Sequence, residues 1–178
     1  MCDPDRSHGM RRIRIAGGAA LLAFAVQSSL AAEVNIVLEA KSGSSVRGQL
    51  KVVDAARGVR ITGEVTGLTP GRHGIHVHAV GDCSAPDADS AGGHFNPAGS
   101  RHGGPKTGEH HAGDLGNIEA NASGVAKVDI TGVALSLAAD RPDGIRGRAL
   151  VIHAQSDDEK TDPSGNSGAR VACGVIPR

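Results

Sequence analysis

The chain has 178 residues, with 19 Lys and Arg against 19 Asp and Glu, so its formal net charge is zero with the histidines neutral. Balanced charge, 1% aromatics and no tryptophan or tyrosine leave neither a basic surface nor a stacking platform for nucleic acid. The length suits one domain with a real core, which aliphatic side chains must fill.

Residues 1–31 read as an N-terminal extension and a cleavable signal peptide. Arg11, Arg12 and Arg14 form its positive segment, residues 15–26 its apolar core, and Ser29-Leu30-Ala31 a small-x-small cleavage site. Met10 is a candidate start, and the mature chain is expected to begin near Ala32. Losing this segment removes four arginines and two aspartates, taking 19 against 19 to 15 against 17, a net charge of −2. The apolar run is short for a bilayer span and no other candidate follows, so the mature protein is expected without stable membrane association, in a periplasmic or secreted location.

Eight short alternating segments follow between glycine-rich turns: 34–38, 46–53, 59–65, 74–80, 116–120, 125–130, 148–153 and 171–176. Short strands without helical periodicity argue an antiparallel sandwich or barrel. Two irregular stretches, 81–114 and 154–169, interrupt them, and loops of that length in a compact domain are usually functional. Asn121-Ala122-Ser123, ahead of Gly124, reads as a hairpin turn rather than a glycosylation acceptor.

The chemistry is concentrated in the histidines. His76 and His78 lie two residues apart, so on a strand both project from one face while Ile75 and Val77 enter a core. Downstream come His94, His102, His111, Asp114 and His153, so most of the nine histidines fall in one series.

The order and local sequence of these residues resemble the copper/zinc superoxide dismutase family, from about Gly48 to Ile176. The most specific pieces are His76-Val77-His78, Gly93-His94-Phe95-Asn96-Pro97, His102-Gly103-Gly104-Pro105, the run 111–117 and the run 168–176. The resemblance implies an all-β domain over residues 32–178, an eight-stranded antiparallel Greek-key β-barrel or sandwich with two long functional loops. It implies Cu and Zn as cofactors, copper on His76, His78, His94 and His153, zinc on His94, His102, His111 and Asp114, with His94 bridging. The ligand chemistry fits: four imidazoles suit tetragonal Cu(II), and three imidazoles with a carboxylate make a tetrahedral zinc site.

In the family the zinc histidine stands three residues before the aspartate, which selects His111 over His110. His110 and His73 are then expected as solvated or hydrogen-bonded loop residues. Asp157 matches an aspartate that holds a copper ligand and a zinc ligand together. Arg170 matches the arginine that orients the substrate, superoxide, a small anion for which a guanidinium offers fixed donors. Arg170 and His94 are thus the expected catalytic residues. Cys2 lies ahead of the cleavage site, leaving Cys83 and Cys173 as a pair that reads as a disulfide in an exported protein.

One departure concerns the approach to copper. Many relatives place a lysine and a threonine where Pro163 and Ser164 stand, so steering of the anion is expected to be weaker or to rely on Lys160. The function implied is dismutation of superoxide to oxygen and hydrogen peroxide, protecting the exported compartment; the family also allows a homodimer. A copper or zinc buffer of the same fold could dispense with a copper histidine or the arginine, and this chain has both. A zinc hydrolase needs an open position on zinc, which four protein ligands would close.

Overall fold

The structure is a computed structural model that describes Met1 and residues 32–178. The expected signal segment and its cleavage point therefore lie outside the described residues. Eight strands run in chain order: β1 (Glu33–Ala40), β2 (Arg47–Ala55), β3 (Gly58–Thr66), β4 (Gly71–His78), β5 (Asp114–Ala120), β6 (Ala126–Gly132), β7 (Ala149–His153) and β8 (Arg170–Val175). They close an antiparallel barrel in the order β1-β2-β3-β6-β5-β4-β7-β8. The pairings of β3 with β6 and of β4 with β7 are the Greek-key crossovers.

Alternation of side chains explains why these segments pair. In β1 every second residue, Val34, Ile36 and Leu38, is buried while Glu33, Asn35 and Val37 face out. Ile61, Ile75 and Leu150, all at 0% exposure, fill the centre of the barrel. The lone aromatic of this core, Phe95, lies under the guanidinium of Arg148, 3.5 Å from the ring centroid. Among the described residues no helix is long and apolar enough to cross a membrane.

All eight expected segments are strands, with shifted ends. β4 starts at Gly71 and stops at His78 rather than running to Val80. The Ala79 N–H donates to the Gly93 carbonyl at 2.9 Å and the Val80 N–H to the Ala91 carbonyl at 3.0 Å, so the chain leaves the barrel to pair with its own next loop. β5 begins at Asp114 and β8 at Arg170, which places both on the ladder. The two expected irregular stretches are present, the first with a short 3-10 turn at Asp89–Ala91. A third, 133–148, was not expected as a separate feature; its Leu135, Leu137 and Ile145 are buried in the same core as the strands.

Cys83 and Cys173 are bonded, tying the loop after β4 to β8 across 90 residues of sequence. Closing a loop of that length stabilises a fold by on the order of 4 kcal/mol through the entropy of the unfolded chain. Reduction is expected to lower the melting temperature of the metal-free protein by roughly 10 °C in scanning calorimetry. A fall of a degree or less would show that the bond does not constrain the fold.

Candidate metal centre

Each histidine of the series reaches one region from a different element. His76 and His78 come from β4, His153 from the end of β7, and His94 from the loop after β4, where it bridges to His78. Burial pattern along β4 departs from simple alternation: from His73 to His78 every residue is buried, Ile75 and Val77 by the barrel and the histidines by loops. One nitrogen from each of His76, His78, His94 and His153 falls within 4.8 Å of the others. His78 Nε2 and His153 Nε2 are 3.4 Å apart, and the rings of His76 and His94 lie 4.0 Å centroid to centroid.

The outward nitrogens of these rings are held. His78 Nδ1 bonds the Gly92 carbonyl at 2.8 Å, His153 Nδ1 the Gly168 carbonyl at 3.2 Å, and His76 Nε2 the Asp157 carboxylate at 2.8 Å. A ring that donates outward presents its other nitrogen inward as a lone pair. His76 Nδ1 and His94 Nε2 are buried and have no hydrogen-bond partner, which leaves both free to coordinate. The residues present therefore fit a metal ion of nitrogen preference.

A second cluster shares His94. It consists of His94, His102, His111 and Asp114, again with ligand atoms within 4.8 Å of one another. Asp114 sits at the centre: one oxygen is 2.7 Å from His94 Nδ1 and 3.2 Å from His111 Nδ1, the other 3.2 Å from His102 Nδ1. That last contact lacks the alignment of a hydrogen bond, and His102 Nδ1 is left buried without a partner. The second oxygen also accepts the backbone N–H of Gly103 at 3.1 Å and of His111 at 2.9 Å, which fixes the carboxylate. Three nitrogens and a carboxylate in one buried volume suit a tetrahedral divalent ion.

Asp157 joins the clusters. One of its oxygens bonds His76 Nε2 at 2.8 Å and the other His102 Nε2 at 2.9 Å, with the carboxylate wholly buried. Its own backbone is held by Asn117 on β5, whose Oδ1 accepts the Asp157 N–H at 2.8 Å and whose Nδ2 donates to the Asp157 carbonyl at 3.0 Å. Asp162 Oδ1 accepts the His102 N–H at 2.6 Å. Gly165 packs over the Asp157–His102 bond with φ 63, and an added Cβ there would overlap Asp157 Oδ1 and lie 2.6 Å from His102 Nε2. Sequence reasoning missed Asn117, Asp162 and Gly165; the run 111–117 contained the first, but no local pattern marked it as a support.

Arg170 opens β8 directly opposite His153. Its side chain is 20% exposed, its Nη1 donates to the Ala88 carbonyl at 2.7 Å, and Asp89 stands 3.8 Å away. His110 joins neither cluster; its Nδ1 bonds the carbonyl of His111 at 2.7 Å. His73 corrects an expectation, being a buried residue of β4 rather than of a loop. Its Nδ1 bonds the His153 carbonyl at 2.9 Å and its Nε2 the Thr69 carbonyl at 2.8 Å, because β4 begins earlier than its aliphatic pattern suggested.

Burial governs the charges of the metal-free site. It pushes His78 down to about 2, His153 to about 3 and His94 to about 4, with neighbouring histidines lowering each further. Burial works against a charge on His102 too, but the close carboxylates of Asp114 and Asp157 outweigh that and push it up to about 10. Burial would raise Asp114 and Asp157, yet the bonds from the histidines hold both well below the usual carboxylate range.

A closed antiparallel barrel carrying two imidazole clusters that share one histidine defines a protein built for a pair of neighbouring metal ions. The profile of the family described as copper/zinc superoxide dismutase (SODC) matches residues 46–176. The chain is 42% identical to superoxide dismutase [Cu-Zn] 2 of Mesembryanthemum crystallinum over 150 residues, 80% of this chain and 94% of that one. It is also similar to the crystal structure of a double mutant of a SOD-like protein from Bacillus subtilis, with 38% identity and a TM-score of 0.73 over 81% of this chain and 97% of that one. The chain belongs to the copper/zinc superoxide dismutase family. It is a superoxide dismutase with copper and zinc as its cofactors.

Two outcomes follow from this geometry. Native His78, His94 and His153 stay neutral at pH values where unfolded histidine, at 6.5, takes up protons, so the metal-free protein loses stability as pH falls below about 6.5. The raised His102 acts oppositely, its contribution being complete below 6.5 and lost as pH rises through about 10. Denaturant unfolding of the metal-free protein should show stability falling on both sides of near-neutral pH; a steady rise from acid to alkali would contradict the His102 assignment. Gly165→Ala should weaken metal affinity at the His102 cluster roughly 10–100-fold in chelator competition by displacing Asp157 and His102, and unaltered affinity would refute that packing role.

Proposed function

We propose that copper is bound by His76, His78, His94 and His153 and zinc by His94, His102, His111 and Asp114, with His94 bridging. The observation that carries this reading is the set of unpartnered buried nitrogens, His76 Nδ1, His94 Nε2 and His102 Nδ1, each facing its cluster while the opposite nitrogen of its ring is engaged. When bound, copper supplies the one-electron couple that accepts an electron from one superoxide and returns it to the next, giving oxygen and, with two protons, hydrogen peroxide.

The protein's own residues do the rest. Arg170, fixed at the rim beside His153, holds superoxide by its guanidinium donors without competing for the metal position. His94 holds and releases a proton at Nε2 while Asp114 keeps its Nδ1 side oriented. Asp157 fixes the rings of His76 and His102, so both ligand sets keep their shape when the site changes charge. His102, His111 and Asp114 would hold zinc beside His94, where the ion would order that ring rather than react. Lys160 is exposed on the 154–169 loop, where a cation can add to the attraction of the anion.

The signal-like segment, together with the Cys83–Cys173 bond, supports export to a periplasmic or extracellular space, where a disulfide persists. The enzyme would there protect the exported compartment from superoxide, and assembly as a homodimer fits the family resemblance.

The test is rapid mixing of superoxide with the mature chain loaded with both metals, beside metal stoichiometry. Fast copper-dependent decay with one copper and one zinc per chain is expected. Arg170→Ala should slow decay at least about tenfold at unchanged metal content. Full loading without turnover would instead make the protein a metal store, and a metal-replete Arg170→Ala variant with unaltered turnover would overturn the role of the arginine.

A further inference from the structure

We propose that Ser42, in the turn between β1 and β2, is a positioning residue for Arg170; this rests on the assignment of Arg170 to the anion. The turn spans Lys41 to Ser44, closed by the Ser44 N–H to the Lys41 carbonyl at 2.9 Å, with φ 52 at Ser42 and 71 at Gly43. Two successive positive φ values are the signature of the hairpin turn whose twist matches antiparallel strands. Its first central position ordinarily takes Asn, Asp or Gly, and a serine there is disfavoured by the backbone. The turn by itself does not account for a serine.

The side chain does. Ser42 Oγ donates to the Arg170 carbonyl at 2.8 Å. The Ser42 N–H donates to the Pro86 carbonyl at 2.8 Å. Pro86 lies in the disulfide loop two residues before Ala88, whose carbonyl receives Arg170 Nη1 at 2.7 Å. One residue therefore holds both the main chain from which the guanidinium springs and the loop that receives its tip.

The neighbours of Ser42 keep this frame in place. The Lys41 N–H donates to the Val171 carbonyl at 2.9 Å, Ser44 Oγ donates to the same carbonyl at 2.6 Å, and Lys41 Nζ donates to the Cys83 carbonyl. Three segments distant in sequence, the first turn, the disulfide loop and the start of β8, meet around Ser42. An arginine has many rotamers, and fixing its base and tip in advance removes the ordering cost from anion binding. Loss of the Oγ bond takes this partner from the Arg170 carbonyl while the turn, the loop and the strand pairing opposite His153 keep their other bonds.

The experiment measures azide binding to the copper- and zinc-loaded enzyme by its visible spectrum, superoxide decay, and exchange of the Arg170 Nε–H by NMR in zinc-loaded, copper-free protein. Ser42→Ala and Ser42→Gly should each weaken azide binding about threefold, slow decay similarly and quicken Nε–H exchange, at unchanged metal content. Ser42→Gly suits the positive φ, so a purely structural role would leave its affinity intact. Ser44→Ala, which loses a bond to Val171 but none to Arg170, should leave azide binding unchanged. If Arg170→Ala weakens azide binding and neither Ser42 variant does, the positioning role is overturned alone. If Arg170→Ala also leaves azide binding unchanged, the arginine assignment falls and takes this inference with it.

Discussion

An imidazole taken out of water must be neutral or paired, and this one constraint organises the protein. Seven histidines in or beside the metal region are at least largely buried, and burial drives His78, His94 and His153 strongly toward the neutral form. Each neutral ring still carries one N–H that needs an acceptor. The Gly92 and Gly168 carbonyls and the Asp114 carboxylate supply those acceptors, and each lies on a different stretch of chain from the ring it serves. The two long loops must fold against the barrel for the histidines to be buried at all.

Asp157 shows how tightly the parts depend on one another. Its carboxylate spans from β4, through His76, to the loop carrying His102, and its main chain is pinned to β5 by Asn117. A carboxylate at zero exposure is costly unless every oxygen is satisfied, and here both oxygens have a histidine partner. The same contacts orient rings of both clusters, so a disturbance at either one reaches the other through a single side chain. The disulfide acts on the opposite flank, fixing the loop that holds the Arg170 guanidinium.

The barrel contributes rigidity rather than chemistry. β4 buries Ile75 and Val77 on one face and presents His76 and His78 on the other, so core packing sets the position of the chelating pair. Register across β7 and β8 then puts His153 beside Arg170, with a bulge between Ile152 and His153 that re-aims the chain at the site. A histidine of the first cluster and the Arg170 guanidinium are thereby placed next to each other by strand pairing.

Much of this was legible without coordinates. The two-residue period of His76 and His78 among aliphatics, the eight alternating segments and the spacing of His111 before Asp114 are local patterns, and local patterns survive in a linear sequence. Strand ends were less legible, because β4 stops where its N–H groups find carbonyls at Gly93 and Ala91 rather than where its composition changes. His73 reads as a polar residue ahead of a strand, and its burial depends on the carbonyls of Thr69 and His153. Which imidazole nitrogen faces its cluster, what Asn117 and Gly165 support, and how Arg170 is held were decided by the tertiary structure alone. The bond from His76 to Asp157 crosses 81 residues, and that from Arg170 to Ala88 crosses 82. Sequence determines which residues can bind and how each strand alternates, whereas partners so far apart are chosen by the closure of the barrel and the packing of its loops.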